Sequence, residues 1–189
     1  MDIFKKTTEM DKEIISEVIK QGEVAIDATC GNGYDTLFLA RQVGNAGKVF
    51  AFDIQEKAIE VTLDRLEHNG VSDRVKLINQ DHSKMVDYVD SGVRAIMFNC
   101  GYLPGSDKDI VTRPSTTIAA LDQGLKLLRK DGVLTCVIYP GHETGLQEAR
   151  KIEEYCQGLG HFEYNSVKVV STNRKNLPPY LIAIKKLKF

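Results

Sequence analysis

The chain has 189 residues, enough for one domain with a substantial core and too few for two comfortable ones. Its composition is that of an ordinary globular protein. No apolar run could span a bilayer and the polar start Met1-Asp2-Ile3-Phe4-Lys5-Lys6 lacks a signal peptide's apolar stretch, so we expect a cytoplasmic protein with no membrane partner. A net charge of −1 argues against strong non-specific nucleic-acid binding. The C-terminal stretch from Tyr164 to Phe189 nevertheless carries +6 and no acid, leaving −7 elsewhere. That asymmetry points either to a polyanion near the C-terminal elements or to a solvated lysine-rich strand face.

Met10, Ile14, Ile15, Val18 and Ile19 recur at helical spacing, predicting an amphipathic helix over about 8–21 that stops at Gly22. Val24-Ala25-Ile26 then predicts a strand ending in Asp27, followed by the turn Gly31-Asn32-Gly33 and a helix from about Asp35. Gly44-Asn45-Ala46-Gly47 reads as a turn, and Lys48–Phe52 as a second strand that ends in Asp53. A helix over Gln55–Asn69 stops at Gly70. A third strand, Val75–Asn79, leads to Gln80-Asp81-His82-Ser83 and a short helix near Met85–Val89. Val93–Cys100 is apolar almost throughout, as a parallel strand covered on both faces should be. After the loop Gly101-Tyr102-Leu103-Pro104-Gly105, Pro114 suits the first turn of a helix to about Arg129. Asp131-Gly132 turns into a fifth strand, Val133–Tyr139. Pro140-Gly141-His142 precedes a helix near Thr144–Leu159, and Val167–Val170 and Tyr180–Leu187 read as closing strands.

This alternation predicts one α/β domain spanning 1–189, with a mostly parallel seven-stranded sheet and helices on both faces. Residues 24–100 form its cofactor half and 101–189 its substrate side. The two closing strands lack a helix between them, which predicts an antiparallel edge of the kind that separates a Rossmann-like class I methyltransferase from a nicotinamide-binding domain. Every polar cluster falls at the C-terminal end of a strand, where such sheets bind ligands.

The glycine turn suits close backbone approach and φ > 0, although Thr36 stands where a dinucleotide fingerprint has its third glycine. Asp53, about twenty residues beyond the turn, is placed to accept both ribose hydroxyls of an adenosine, with Ile54 and Gln55 beside it. Asp27 would repel a pyrophosphate at the turn and welcome a cationic group, which favours S-adenosyl-L-methionine over NAD. Asn32 and Asp35 add polar atoms for the amino-acid end of that cofactor, although Asp35 reads equally as a helix N-cap. Asp81 is placed for the adenine amino group and the His82 N–H for a ring nitrogen, or Asp81 is a turn acid.

Asn99-Cys100-Gly101-Tyr102 is similar to the N-P-P-Y motif of amino-group methyltransferases, with both prolines replaced. There the asparagine accepts from the target nitrogen and the aromatic ring stacks on the base, so Asn99 and Tyr102 are the candidate catalytic positioning residues. Their bland reading is a strand end and a packing ring. Thr116, Thr117 and His142 are candidate substrate contacts, with Arg174 and Lys175 in the basic tail. A nucleophilic role for Cys100 would need an activated thiolate, which an apolar strand end does not supply. Cys30, Cys100, Cys136 and Cys156 show no metal-ligand spacing and read as reduced structural thiols, so no metal is expected.

Ile26-Asp27-Ala28-Thr29 with Gly31-Asn32-Gly33 and Asp35-Thr36, then Asn99-x-Gly101-Tyr102-Leu103-Pro104-Gly105, Thr116-Thr117, Tyr139-x-Gly141-His142 and Pro178-Pro179 resemble a small bacterial family. That family carries the label "putative rRNA methylase", and its characterised members are tRNA methyltransferases. The resemblance covers essentially the whole chain; Cys30 departs from it, where a bulkier apolar residue is expected. It implies S-adenosyl-L-methionine as cofactor and the tRNA anticodon loop as substrate. The implied reaction methylates the 5-aminomethyl group of wobble uridine. An rRNA or small-molecule amine methyltransferase and a non-catalytic RNA-binding module are the alternatives, and a homodimer is the base-rate assembly.

Overall fold

The computed structural model describes residues 4–100 and 114–188. Its strands are β1 (Val24–Asp27), β2 (Lys48–Asp53), β3 (Val75–Asn79), β4 (Val93–Cys100), β5 (Leu128–Ile138), β6 (Tyr164–Val169) and β7 (Tyr180–Lys186). The helices are α1 (Thr7–Val18), α2 (Tyr34–Val43), α3 (Glu56–His68), α4 (Pro114–Leu127) and α5 (Glu143–Gln157). The described strands form one sheet in the order β3-β2-β1-β4-β5-β7-β6. β1 to β5 pair in parallel, and β7 runs antiparallel to both β5 and β6. The expected architecture is therefore present, with β7 inserted between β5 and the edge.

Period-two alternation deals the apolar strands into two cores, although the sequence shows continuous runs. Ile96, Phe98 and Cys100 of β4 join Leu134, Cys136 and Ile138 of β5 in the core beneath α4 and α5. Ala95 and Met97 join Ile15, Leu39 and Leu66 in the core beneath α1, α2 and α3. Residues in phase with Met97, including Asn99, consequently face α1 and α2.

Several boundaries differ from expectation for local reasons. The turn expected at Asp131-Gly132 lies inside β5 as a bulge, because pairing steps from Val93↔Leu128 to Ala95↔Val133. Asp131 takes φ +62° there. The short helix expected near Met85–Val89 is a 3₁₀ segment, His82–Asp87, capped by the Asp81 side chain, which accepts from the Ser83 N–H. β6 starts three residues earlier than the apolar run, since an edge strand needs only one covered face. Tyr102 and its glycine-proline loop lie outside the described residues.

Candidate active site

The register places the candidate residues along one rim. Asp27 pairs with Ala51 on one side and Met97 on the other, so Asp53, Thr29 and Asn99 lie one step further along the same cross-strand row. Two strand spacings separate Asp53 from Asn99, about 10 Å. The Asn99 N–H donates to Thr29 Oγ1 (2.8 Å), and the Gly31 N–H donates to Asp53 Oδ2 (3.0 Å). Asp53 Oδ1 accepts from the Gln55 N–H (2.9 Å). Ile54 beside it is 54% exposed, an apolar plate at a polar strand tip.

The glycine turn is held from behind. Thr62 Oγ1 donates to the Gly31 carbonyl (3.1 Å), and Arg65 Nε donates to the Asn32 carbonyl (2.6 Å) with its guanidinium 3.7 Å from the Tyr34 ring centre. Gly31 and Gly33 adopt φ +51° and +77°. A Cβ at Gly33 would come within 2.9 Å of Thr62, so packing against α3, besides the left-handed backbone, requires this glycine. Thr36, standing in place of a third glycine, is buried and donates to Asp27 Oδ2 (2.6 Å).

A polar network faces α1 and α2. Asp35 receives Asn99 Nδ2 (3.3 Å) and is ion-paired with Lys12 of α1 (2.8 Å). It does not cap its helix; Gly33 occupies that position. Asp27 is 1% exposed. Burial and the nearby charge of Asp35 push its carboxyl up to about 7, against hydrogen bonds from Thr36 and Thr29. Asp11 of α1, absent from the sequence reading, is 2% exposed and likewise raised to about 7, chiefly by burial, against a hydrogen bond with Thr135. Tyr139 lies at the same place, its phenol raised by burial and by Asp35 and Asp11, with an Asn99 hydrogen bond opposing.

Four other candidates have structural partners. His82 is buried, with Nδ1 on the Ala28 carbonyl (3.0 Å) and its ring edge-on to Phe98; the Nδ1 proton must be the donated one, which leaves Nε2 an acceptor with no partner among the described residues. Asp81 spends one oxygen on Ser83. Burial works against its ionisation, but the Ser83 hydrogen bonds hold its carboxyl below the usual range. His142, a candidate substrate contact, caps α5: Nδ1 accepts from the Gly145 N–H (3.0 Å), which removes that nitrogen as a proton acceptor. Thr117 is fully buried and donates to Glu148 (2.6 Å), tying α4 to α5, whereas Thr116 is partly exposed. Arg174 and Lys175 are exposed in the β6–β7 connection.

The cysteines are free, and Cys30, Cys100 and Cys136 are buried. Burial and the charge of Asp27 raise the Cys30 thiol, while Cys100 Sγ lies 3.4 Å from Cys136 Sγ. Among the described residues no helix is long and apolar enough to cross a membrane.

This donor set fits S-adenosyl-L-methionine. Asp27, Asp35 and Asp53 surround the turn, a field that favours a sulfonium and an ammonium and repels pyrophosphate. Asp53, Ile54 and Gln55 present carboxylate, apolar surface and amide for a nucleoside, and Asp27 lies behind the turn.

The chain is similar to known methyltransferases throughout. A protein of Arabidopsis thaliana named tRNA (mnm(5)s(2)U34)-methyltransferase, chloroplastic, is 38% identical, matching 96% of this chain and 70% of its own length. A solved structure from Clostridium thermocellum, described as a "putative rRNA-methylase", is 43% identical with a TM-score of 0.96, covering 97% of this chain and 99% of that one. A protein from Streptococcus mutans described as "a putative methyltransferase", solved in complex with SAH, is 34% identical with a TM-score of 0.90 over 97% of this chain and 99% of its own. Residues 49–185 match the family described as "Putative rRNA methylase". The chain belongs to that family and is an S-adenosylmethionine-dependent methyltransferase.

Proposed function

We propose that the protein N-methylates the 5-aminomethyl group of wobble uridine in tRNA, giving 5-methylaminomethyluridine. The observation that carries this reading is the Asn99 carboxamide, anchored on Asp35 in the same cross-strand row as Asp53. An ionised carboxylate only accepts hydrogen bonds, so the amide turns its NH₂ toward Asp35. Oδ1 is then the atom that accepts from an incoming amine. The relative from Arabidopsis, named for a tRNA wobble position, supports the choice of nucleic acid.

S-adenosylmethionine, when bound, supplies an electrophilic methyl group. Asp53 and Gln55 take the ribose, Ile54 and Asp81 with the His82 N–H take the adenine, and Gly31, Asn32, Gly33 and the Asp27–Thr36 pair border the methionine end. Asn99 holds one amine N–H, which aims the nitrogen lone pair, and Tyr102 is the residue assigned to stack on the base. The carboxylates of Asp27 and Asp35 lower the free energy of the positive charge that develops on the methylated nitrogen. Thr116, Arg174 and Lys175 contact the RNA.

The test is incubation of the enzyme and S-adenosylmethionine with tRNA carrying 5-aminomethyluridine, followed by nucleoside mass spectrometry. The wobble nucleoside gains one methyl group. An unchanged mass, with methyl transferred instead to rRNA or to a free amine, overturns the assignment.

A further inference from the structure

A second concavity lies between α5 and the antiparallel edge, and the reaction above leaves it unused. Its volume is about 160 Å³, and Pro140, Leu146, Ala149, Leu177, Pro178 and Tyr180 supply its apolar lining. That is well below the roughly 300–1,000 Å³ of sites for whole cofactors, so it has room for a single ring system.

Its position ties it to the active site. Pro140 follows Tyr139, which hydrogen-bonds Asn99, and Tyr180 pairs with Ile138 at the end of β5. The groove therefore lies at the same end of the sheet as Asn99, two strand spacings away across β5 to β7, about 10 Å in the sheet plane, on the α5 face whereas Asn99 faces α1 and α2. The glycine turn lies on the opposite side of Asn99.

Its lip is cationic. Lys168 stands 4.3 Å above the Tyr180 ring and is ion-paired with Glu153 (2.8 Å), which also accepts from the Tyr180 hydroxyl (2.6 Å). The acid bordering the groove is thereby engaged. Arg150 is exposed and pairs with no carboxylate among the described residues, and Arg174 and Lys175 precede Leu177 along the chain. Leu177 is 52% exposed at φ +39°, a conformation that disfavours a branched apolar side chain. A small, mostly apolar concavity with Arg150 and Lys168 in its lining, and Arg174 and Lys175 close by along the chain, matches the chemistry of an unstacked nucleobase in single-stranded RNA.

We propose that this groove receives a nucleobase neighbouring the methylated nucleotide, while Arg150, Lys168, Arg174 and Lys175 hold the flanking phosphates. The inference rests on the RNA reading above. A free apolar ligand would leave the cations without a role, and an acidic peptide would leave the slot without one.

The experiment uses the full-length enzyme with an anticodon stem–loop RNA carrying 5-aminomethyluridine. Leu177→Asn suits the left-handed backbone, so it removes the apolar wall without straining the fold. It raises KM for the RNA about tenfold, the effect of losing one apolar side-chain contact with the base, and leaves the Kd for S-adenosylmethionine unchanged. Arg150→Glu raises KM as well, most strongly at low salt. With 5-iodouridine placed next to the target, ultraviolet crosslinks map to the segment from Leu177 to Tyr180. Unchanged KM in both variants, while the wild type methylates the RNA, overturns the groove and leaves the reaction standing. A wild type that neither binds nor methylates the RNA removes both. If Leu177→Asn converts a dimer to a monomer without RNA present, the groove is a self-interface and the proposal fails.

Discussion

The two ends of the rim are built on different terms. At the tips of β1 and β2, polar groups answer one another: Asp53 takes two backbone N–H groups, Asp27 takes Thr36 and Thr29, and α3 grips the glycine turn through Thr62 and Arg65. At the β6–β7 edge, Arg174 and Lys175 stand in solvent on a connection without regular structure. A rigid ligand of fixed shape is served by a pre-organised site, because ordering it at the moment of binding would cost affinity. A flexible polyanion is served by mobile cations, whose contribution comes through released counterions. The basic tail also divides in space. Lys185 pairs with Asp131, and Lys186 donates to the carbonyls of Leu125 and Leu128, at the end of β7 remote from the rim. Only Lys168, Arg174 and Lys175 of that tail are at the rim end of the edge.

The comparison breaks most sharply at Asn99, which lies between the two regions. Asn99→Ala should lower kcat about 10²- to 10³-fold, as loss of reactant alignment does, with the Kd for S-adenosylmethionine changed less than about threefold. Single-turnover kinetics beside calorimetry separates the two quantities; equal losses in both would make Asn99 a cofactor ligand. Asp53→Ala removes an ionised acceptor and loosens Gly31, so it should weaken the cofactor about 10- to 100-fold. Undiminished affinity would displace the nucleoside from the β2 tip. At the other end, Lys175→Glu should reduce the slope of log K against log salt for RNA by about one to two, with cofactor affinity untouched. A slope that stayed the same would place the phosphate contacts elsewhere.

Much of this arrangement is legible in the chain. β3 and β4 begin and end where their apolar runs do, and the strand tips carrying Asp27, Asp53 and Asn99 do meet at one rim. What the sequence hides is orientation. A buried parallel strand is apolar on both faces, so nothing in Val93–Cys100 tells whether Asn99 faces α1 or α4. Asp11 is hidden by a similar effect, since its neighbours Met10 and Ile14 outline an apolar stripe with Asp11 at its border. Its spacing of four from Ile15, which is fully buried, is the signal that places it inward. The capping role of His142 is hidden too, because imidazole is a rare N-cap, although it stands directly before the first turn of α5.

The smallest effect concerns Asp11, and it tests whether the cofactor end carries a cost in stability that the RNA end does not. In the unfolded chain an aspartate titrates near 3.9, whereas buried Asp11 titrates at about 7. Between those values the folded protein holds a proton that the unfolded chain has released, so stability falls as pH rises through the window and levels off above it. Asp27, raised to about 7 as well, adds the same slope. Asparagine matches the shape of the protonated acid and cannot ionise. Asp11→Asn should therefore raise Tm by about 3–6 °C near pH 8, have little effect at or below about pH 4, and leave the Asp27 share of the slope in place. Differential scanning calorimetry across that range, without cofactor, reads all three. A variant less stable than the wild type near pH 8 would show that Asp11 is ionised and usefully paired there, and the contrast in stability between the two ends of the rim would collapse.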